Sequence, residues 1–124
     1  MNAVEAEKLA EDLSNLEKGI FGAIISTNTG EVLGDYIKPE YRSKLSANKE
    51  DWAGIGFKGA MILGSAVAAT RMLSDLESVI FIRRELKGML ILIPDENVIA
   101  SILFQRSING SNLTTKVRKF LGME

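Results

Sequence analysis

The chain has 124 residues, of which 46% are hydrophobic and 25% charged, with a formal net charge of −1 and neither cysteine nor histidine. That length fits a single domain, expected to span 1–124, which can bury roughly two-thirds of its unfolded surface without a metal or disulfide staple. The composition excludes disulfides and thiolate metal sites, removes the commonest general base and transition-metal ligand, and gives no general pull toward nucleic acid or an anionic membrane.

Residues 3–18 predict an amphipathic helix. Val4, Leu9, Leu13 and Leu16 recur near helical spacing, with Glu5, Glu11, Asp12 and Glu17 between them. Asn2 can cap its start, with Glu5 three residues on, and Gly19 follows the last turn. Five acidic residues in 2–18 and no long apolar run do not make a signal peptide, so a cytoplasmic location is expected. The longest apolar stretch, Gly59 to Ala69, is too short for a membrane span.

Ile20 to Ser26 has strand character and opens into Thr27-Asn28-Thr29-Gly30, a hairpin turn; Glu31 to Ile37 returns as a second strand, ended by Pro39. A polar link covers 38–48. Asn48 or Ser46 can then cap a long second helix running to about Leu73, with Glu50 and Asp51 at its positive end and Arg71 near its negative end. Three strands follow, about Ser78–Arg83, Lys87–Ile93 and Val98–Phe104, joined by turns at Arg84-Glu85 and Pro94-Asp95-Glu96-Asn97. The last helix starts near Ser111 and is expected to bury Leu113, Val117, Phe120 and Leu121.

Connections that short after the second helix make the sheet antiparallel there. The last three strands are nearly continuous apolar runs and do not alternate, so both faces of the sheet must be covered. Three helices are enough to do so.

The second helix is apolar nearly all the way round. Ile55, Gly59, Ile62, Ala66, Ala69 and Leu73 form one stripe suited to the sheet, and Gly56, Ala60, Gly64 and Ala68 form a row of small residues at every fourth position. Met61, Leu63 and Val67 widen the apolar surface. A helix on the outside of a small sheet should show water a polar face. Small residues in such a row let a second backbone come close, and each glycine costs up to ~1 kcal/mol of helix stability relative to alanine. The outer face of this helix is therefore expected to pack on its own copy in a two-fold dimer.

The element order and these residues resemble the Roadblock/dynein light-chain family along almost the whole chain. Ile20-Phe21-Gly22-Ala23-Ile24-Ile25 followed by Gly30-Glu31-Val32-Leu33 is similar to the family's first hairpin. The Ala/Gly/Leu-rich second helix and the Gly88-Met89-Leu90-Ile91-Leu92 strand match as well, and only the longer polar link at 38–48 departs. The resemblance implies an α/β domain of α+β type with profilin-like order helix-strand-strand-helix-strand-strand-strand-helix. Its five-stranded antiparallel sheet would carry the second helix on one face and the terminal helices on the other.

It further implies that the second helix and the third strand pair with their equivalents in another subunit, itself or a paralogue. The interface would comprise Gly56, Ala60, Leu63, Gly64 and Val67 with Val79, Ile80, Phe81 and Ile82. Such domains have no catalytic apparatus of their own and serve as scaffolds, as regulators of Ras-like small GTPases and as dynein light chains. The expected function is thus a non-enzymatic dimeric adaptor or regulator of a Ras-like GTPase, with a nucleotide-independent structural subunit as the alternative.

Other candidates are weaker. Gly54-Ile55-Gly56-Phe57-Lys58-Gly59 matches the dinucleotide fingerprint, but Glu50-Asp51-Trp52 ahead of it starts a helix and no parallel strand-helix-strand unit surrounds it. A nucleotide-binding enzyme is therefore the third-ranked reading. There is no Walker A sequence. The carboxylates are scattered, and Ser65 lacks a histidine or nearby lysine partner, so no catalytic residue, cofactor or metal ligand is expected. Arg83 and Arg84, at the end of the third strand, can meet an acidic patch on a partner or simply polarise a hairpin. Lys116, Arg118 and Lys119 read as a solvated helix face. Trp52 is a partner anchor or a cap on the core.

Overall fold

The computed structural model describes residues 1–42, 49–70, 72–73, 75–93 and 95–123, apart from the side chains of 49, 50, 52, 53, 57 and 69. The expected caps Ser46 and Asn48, the helix-end Arg71 and the turn residue Pro94 lie outside the described residues. The elements run α1 (Ala3–Ser14), β1 (Ile20–Thr27), β2 (Val32–Ile37), a 3-10 turn (Pro39–Tyr41), α2 (Lys49–Thr70), β3 (Val79–Ile82), β4 (Lys87–Ile93), β5 (Val98–Phe104) and α3 (Gly110–Phe120). This is the expected order, with α1 ending four residues early.

Helix α1 starts where its capping residues place it. The Asn2 side chain accepts from the Glu5 backbone N–H at 2.8 Å, and the Glu5 carboxylate accepts from the Asn2 N–H at 3.4 Å. The β1–β2 turn closes through Thr27 N–H to the Glu31 carbonyl at 2.8 Å, with Gly30 at φ 97°, a conformation suited to glycine. Asn109 caps α3 through the Asn112 N–H at 2.9 Å.

The five strands form one antiparallel sheet in the order β2-β1-β5-β4-β3. The strand at its centre, β5, is buried at every position, because each face of the sheet carries a core. On one face Ala23, Ile25, Met89, Ile91, Ala100, Ile102 and Phe104 pack with Ala6, Ala10 and Leu13 of α1 and with Leu113 and Val117 of α3. On the other, Ile24, Leu90, Ile99 and Leu103 lie under α2, which supplies Ala60 and Leu63. The long helix is thus on one face and the terminal helices on the other.

Two helix faces differ from expectation. In α1 the buried residues are Ala6, Ala10, Leu13 and Ser14, while Val4 is exposed. The cause is Gly34 on β2: a Cβ built there would lie 2.7 Å from the Glu7 backbone N and 3.0 Å from Ala6. The helix backbone rests directly on the strand, so only alanines fit between. Gly34→Ala is accordingly expected to destabilise the chain by about 1–3 kcal/mol, since neither backbone can yield cheaply. Denaturant midpoints of the two proteins test this. In α3, Phe120 is exposed, and the cluster is filled by Leu113 and Val117.

Candidate interaction surface

In α2, Gly56, Gly59, Ala60 and Leu63 face the sheet of their own chain. A Cβ on Gly56 would lie 3.0 Å from Val32, and one on Gly59 would lie 3.0 Å from Leu90 and 3.2 Å from the Ser101 hydroxyl. This corrects the expected assignment of Gly56, Ala60 and Leu63 to the outward side. The reason is geometric. A row at every fourth position advances about 40° per step on a helix of 3.6 residues per turn. Gly56 and Ala60 therefore start the row against the sheet, while Gly64 and Ala68 end it in solvent. The other stripe drifts likewise, and Ile62, expected on the sheet, is 50% exposed.

The glycine contacts press α2 onto small sheet residues. The Ser26 and Ser101 hydroxyls are buried there without a hydrogen-bond partner among the described residues. An unpaired buried hydroxyl carries its desolvation cost uncompensated. Ser101→Ala is expected to leave stability unchanged or raise it by about 1 kcal/mol, measured by thermal melting.

What α2 shows outward beyond the exposed Asp51, Lys58 and Ser65 is apolar. Met61 is 59% exposed and Val67 42%, with Gly64 and Ala68 also exposed. Gly64 has no neighbour within 4 Å of where a Cβ would stand. Val67 lies one turn beyond Leu63 on nearly the same angular side, yet is uncovered. Met72 and Leu73, just past the helix, are exposed too.

Strand β3 is an edge of the sheet. Its side chains divide between the faces. Val79 and Phe81 turn toward the α2 side. Ile80 turns toward α3, where it meets Gly110, and Ile82 is 63% exposed. Among the described residues no strand pairs with its outer side, which leaves a short, largely apolar edge.

No family profile and no curated protein matches the sequence. Solved structures do match the fold. A Roadblock/LC7 domain from Streptomyces avermitilis superposes with a TM-score of 0.73 at 9% identity, covering 94% of this chain and 91% of that one. MglB in a tetrameric arrangement gives 0.70 at 11% identity, over 96% and 82%. MglC from Myxococcus xanthus gives 0.61 at 12% identity, over 93% and 92%. The chain has a Roadblock-type fold.

On this Roadblock-type frame Arg83 and Arg84 sit exposed at the β3–β4 hairpin. Sequence reasoning missed their neighbour: the Arg106 guanidinium donates to the Arg84 carbonyl at 3.2 Å, bringing in a third arginine from just past the end of β5. No spacing in the sequence signals that contact. The Trp52 side chain lies outside the described residues. The segment Gly54–Gly59 is helical throughout, and its glycines at 56 and 59 meet sheet side chains. Among the described residues no group of three or more acidic side chains is placed to hold a metal, and no helix is long and apolar enough to cross a membrane.

The start of the 38–48 link is fixed by a feature absent from the sequence reading. Lys38 is buried, and its ammonium donates to the carbonyls of Glu17 at 2.9 Å and Lys18 at 3.3 Å. The Tyr41 ring packs against that of Phe21, tilted by 46° with centroids 4.6 Å apart. Burial pushes the Lys38 pKa below the ordinary lysine value of 10.5, opposed by the nearby Glu40 carboxylate. Between that lowered value and 10.5 the unfolded chain binds the extra proton. The contribution of Lys38 to stability therefore rises with pH across the window, and the cost of burying the ammonium is fully present below it. The melting temperature of the native protein minus that of Lys38→Met is expected to increase with pH through this range; a flat or falling difference contradicts the assignment.

Proposed function

We propose that the chain is a non-enzymatic adaptor or regulator, one Roadblock-like domain over 1–124, that works in the cytoplasm as a dimer and binds a Ras-like small GTPase. The observation that carries the reading is the uncovered apolar outer face of α2 beside an unpaired edge strand. An exposed surface of this kind on a small domain marks an interaction site. Gly64, Val67, Met61 and Ala68 form the helix side of the interface with a second copy or a paralogue, and Val79–Ile82 forms its strand side. Gly56, Ala60 and Leu63 support it from beneath. The tetrameric arrangement of the similar MglB supports self-association as a use of this fold. The GTPase partner rests on the resemblance to the Roadblock/dynein light-chain family. Arg83 and Arg84 meet an acidic partner surface, and Trp52 anchors a partner.

Two measurements test the reading. Light scattering at high micromolar concentration should give a dimer, and a monomer there removes the proposal. Capture from native extract on Ras-like GTPases that are GTP-loaded, GDP-loaded or empty should depend on nucleotide. Equal capture by all three favours a structural subunit instead.

A further inference from the structure

The edge strand β3 is bracketed by opposite charges: Asp75 and Glu77 precede it, and Arg83 and Arg84 follow it. All four are exposed. Which backbone groups the edge offers follows from the hairpin. The Arg83 N–H donates to the Leu86 carbonyl at 2.8 Å, and the register with β4 runs on as Phe81–Gly88 and Val79–Leu90. Hydrogen-bonded pairs alternate in an antiparallel ladder. Val79, Phe81 and Arg83 therefore bond inward to β4, while Ile80 and Ile82 turn their N–H and C=O groups outward. Outward groups of this kind are a template for another strand.

We infer that β3 pairs with β3 of a second copy, antiparallel and centred on Ile80, with Glu77 of each copy opposite Arg83 of the other. This rests on the dimer proposed above and deepens it: it chooses a second copy over a paralogue and names the acidic group that Arg83 meets. A two-fold contact sets residue i against j and j against i, so the axis passes through a residue that faces itself. Two centres satisfy the outward groups of both Ile80 and Ile82. Centring on Phe81 sets Arg83 against Val79 and Glu77 against Glu85, and like charges directly opposite are destabilising. Centring on Ile80 sets Glu77 against Arg83, with Val79 meeting Phe81 of the mate on the α2 side, apolar against apolar. Its one like-charged match, Asp75 with Glu85, falls at the hairpin tip, where both side chains are exposed. The nearby cations leave this contact open. Arg118 reaches Glu77 at 4.0 Å with the Glu77 side chain still 62% exposed, Arg106 donates to the Arg84 carbonyl, and Lys87 donates to the Ile108 carbonyl at 2.9 Å. Next to the pair, Leu76 stands opposite Arg84 and lines, with Leu73, Asp75 and Glu77, an open cavity that suits the apolar stem and charged head of an arginine from the mate. The two-fold is perpendicular to the sheet, so both α2 helices lie on one face of the joined sheet, where their uncovered sides can meet.

Charge exchange in the full chain tests this by sedimentation velocity. Glu77→Arg alone and Arg83→Glu alone each reverse both contacts of the dimer, and each should raise the dissociation constant roughly tenfold. An equimolar mixture of the two variants should recover native association as a mixed dimer, identified by native mass spectrometry. The double variant, Glu77→Arg with Arg83→Glu, should recover it as a dimer of itself. Recovery on mixing separates a lost contact from a misfolded chain. Single variants that associate as tightly as the native chain overturn this proposal alone, as does a mixture that stays as weak as its components. A Glu77→Arg chain that associates more tightly moves the centre to Phe81 and overturns it too. A native chain that stays monomeric overturns the dimer as well.

Discussion

Truncation of Phe104 to alanine is expected to cost about 3–5 kcal/mol of folding stability, the largest effect of any single change considered for this chain. Phe104 ends β5, is fully buried, and packs in the core shared by α1 and α3. It pairs with both Ile20 of β1 and Lys87 of β4, so the space it leaves is walled by strands on either side. Neighbouring strands cannot close such a void without breaking register. The loss therefore combines the transfer energy of the ring with a residual cavity. Against a typical total of about 5–15 kcal/mol, this takes the chain close to unfolding at ambient temperature. Urea denaturation should show a lower midpoint at an unchanged slope, and a loss below about 1 kcal/mol would mean that the core repacks.

The second large effect is on assembly and not on folding. Val67→Arg is expected to weaken self-association by about 2–4 kcal/mol, roughly 30- to 1,000-fold in dissociation constant, while the monomer melts as before. Val67 is 42% exposed, so its replacement removes little from the chain's own core. In a dimer built on this face it would place a cation in the desolvated centre of the contact. Gly64→Ala is the companion measurement. No atom lies within 4 Å of the added methyl, so the isolated helix gains up to ~1 kcal/mol from alanine's higher propensity. If a partner backbone approaches at Gly64, the same change raises the dissociation constant. Val67→Arg associating as tightly as the native chain would move the interface elsewhere.

Local signals in this sequence describe the elements well. The Asn2–Glu5 capping box, the Gly30 turn and the limits of β4 and β5 depend on neighbours a few residues away, and the structure reproduces them. Which face of a helix is buried depends on what lies opposite, and there the reading failed. In α1 the larger Val4 looked like core, yet Gly34 on a strand 30 positions away lets the helix come so close that alanines are favoured. In α2, a nearly uniform apolar surface gave no contrast from which to choose a face, and the row of small residues twists from sheet to solvent along its length. The cluster of Arg84 with Arg106 and the Lys38 contacts join segments about 20 residues apart through backbone carbonyls, which leave no residue-type pattern to find.

The ring of Phe81 lies over Gly88 on the adjacent strand, in the volume that a side chain at 88 would fill. Glycine leaves a strand backbone bare, and an aromatic neighbour across the pair restores its cover. Positions 81 and 88 thus behave as one residue shared between two strands: enlarging the glycine evicts the ring, and shrinking the ring wets the glycine. Any descendant of this sequence that gains bulk at 88 must lose it at 81, so the two sites are free to drift only together.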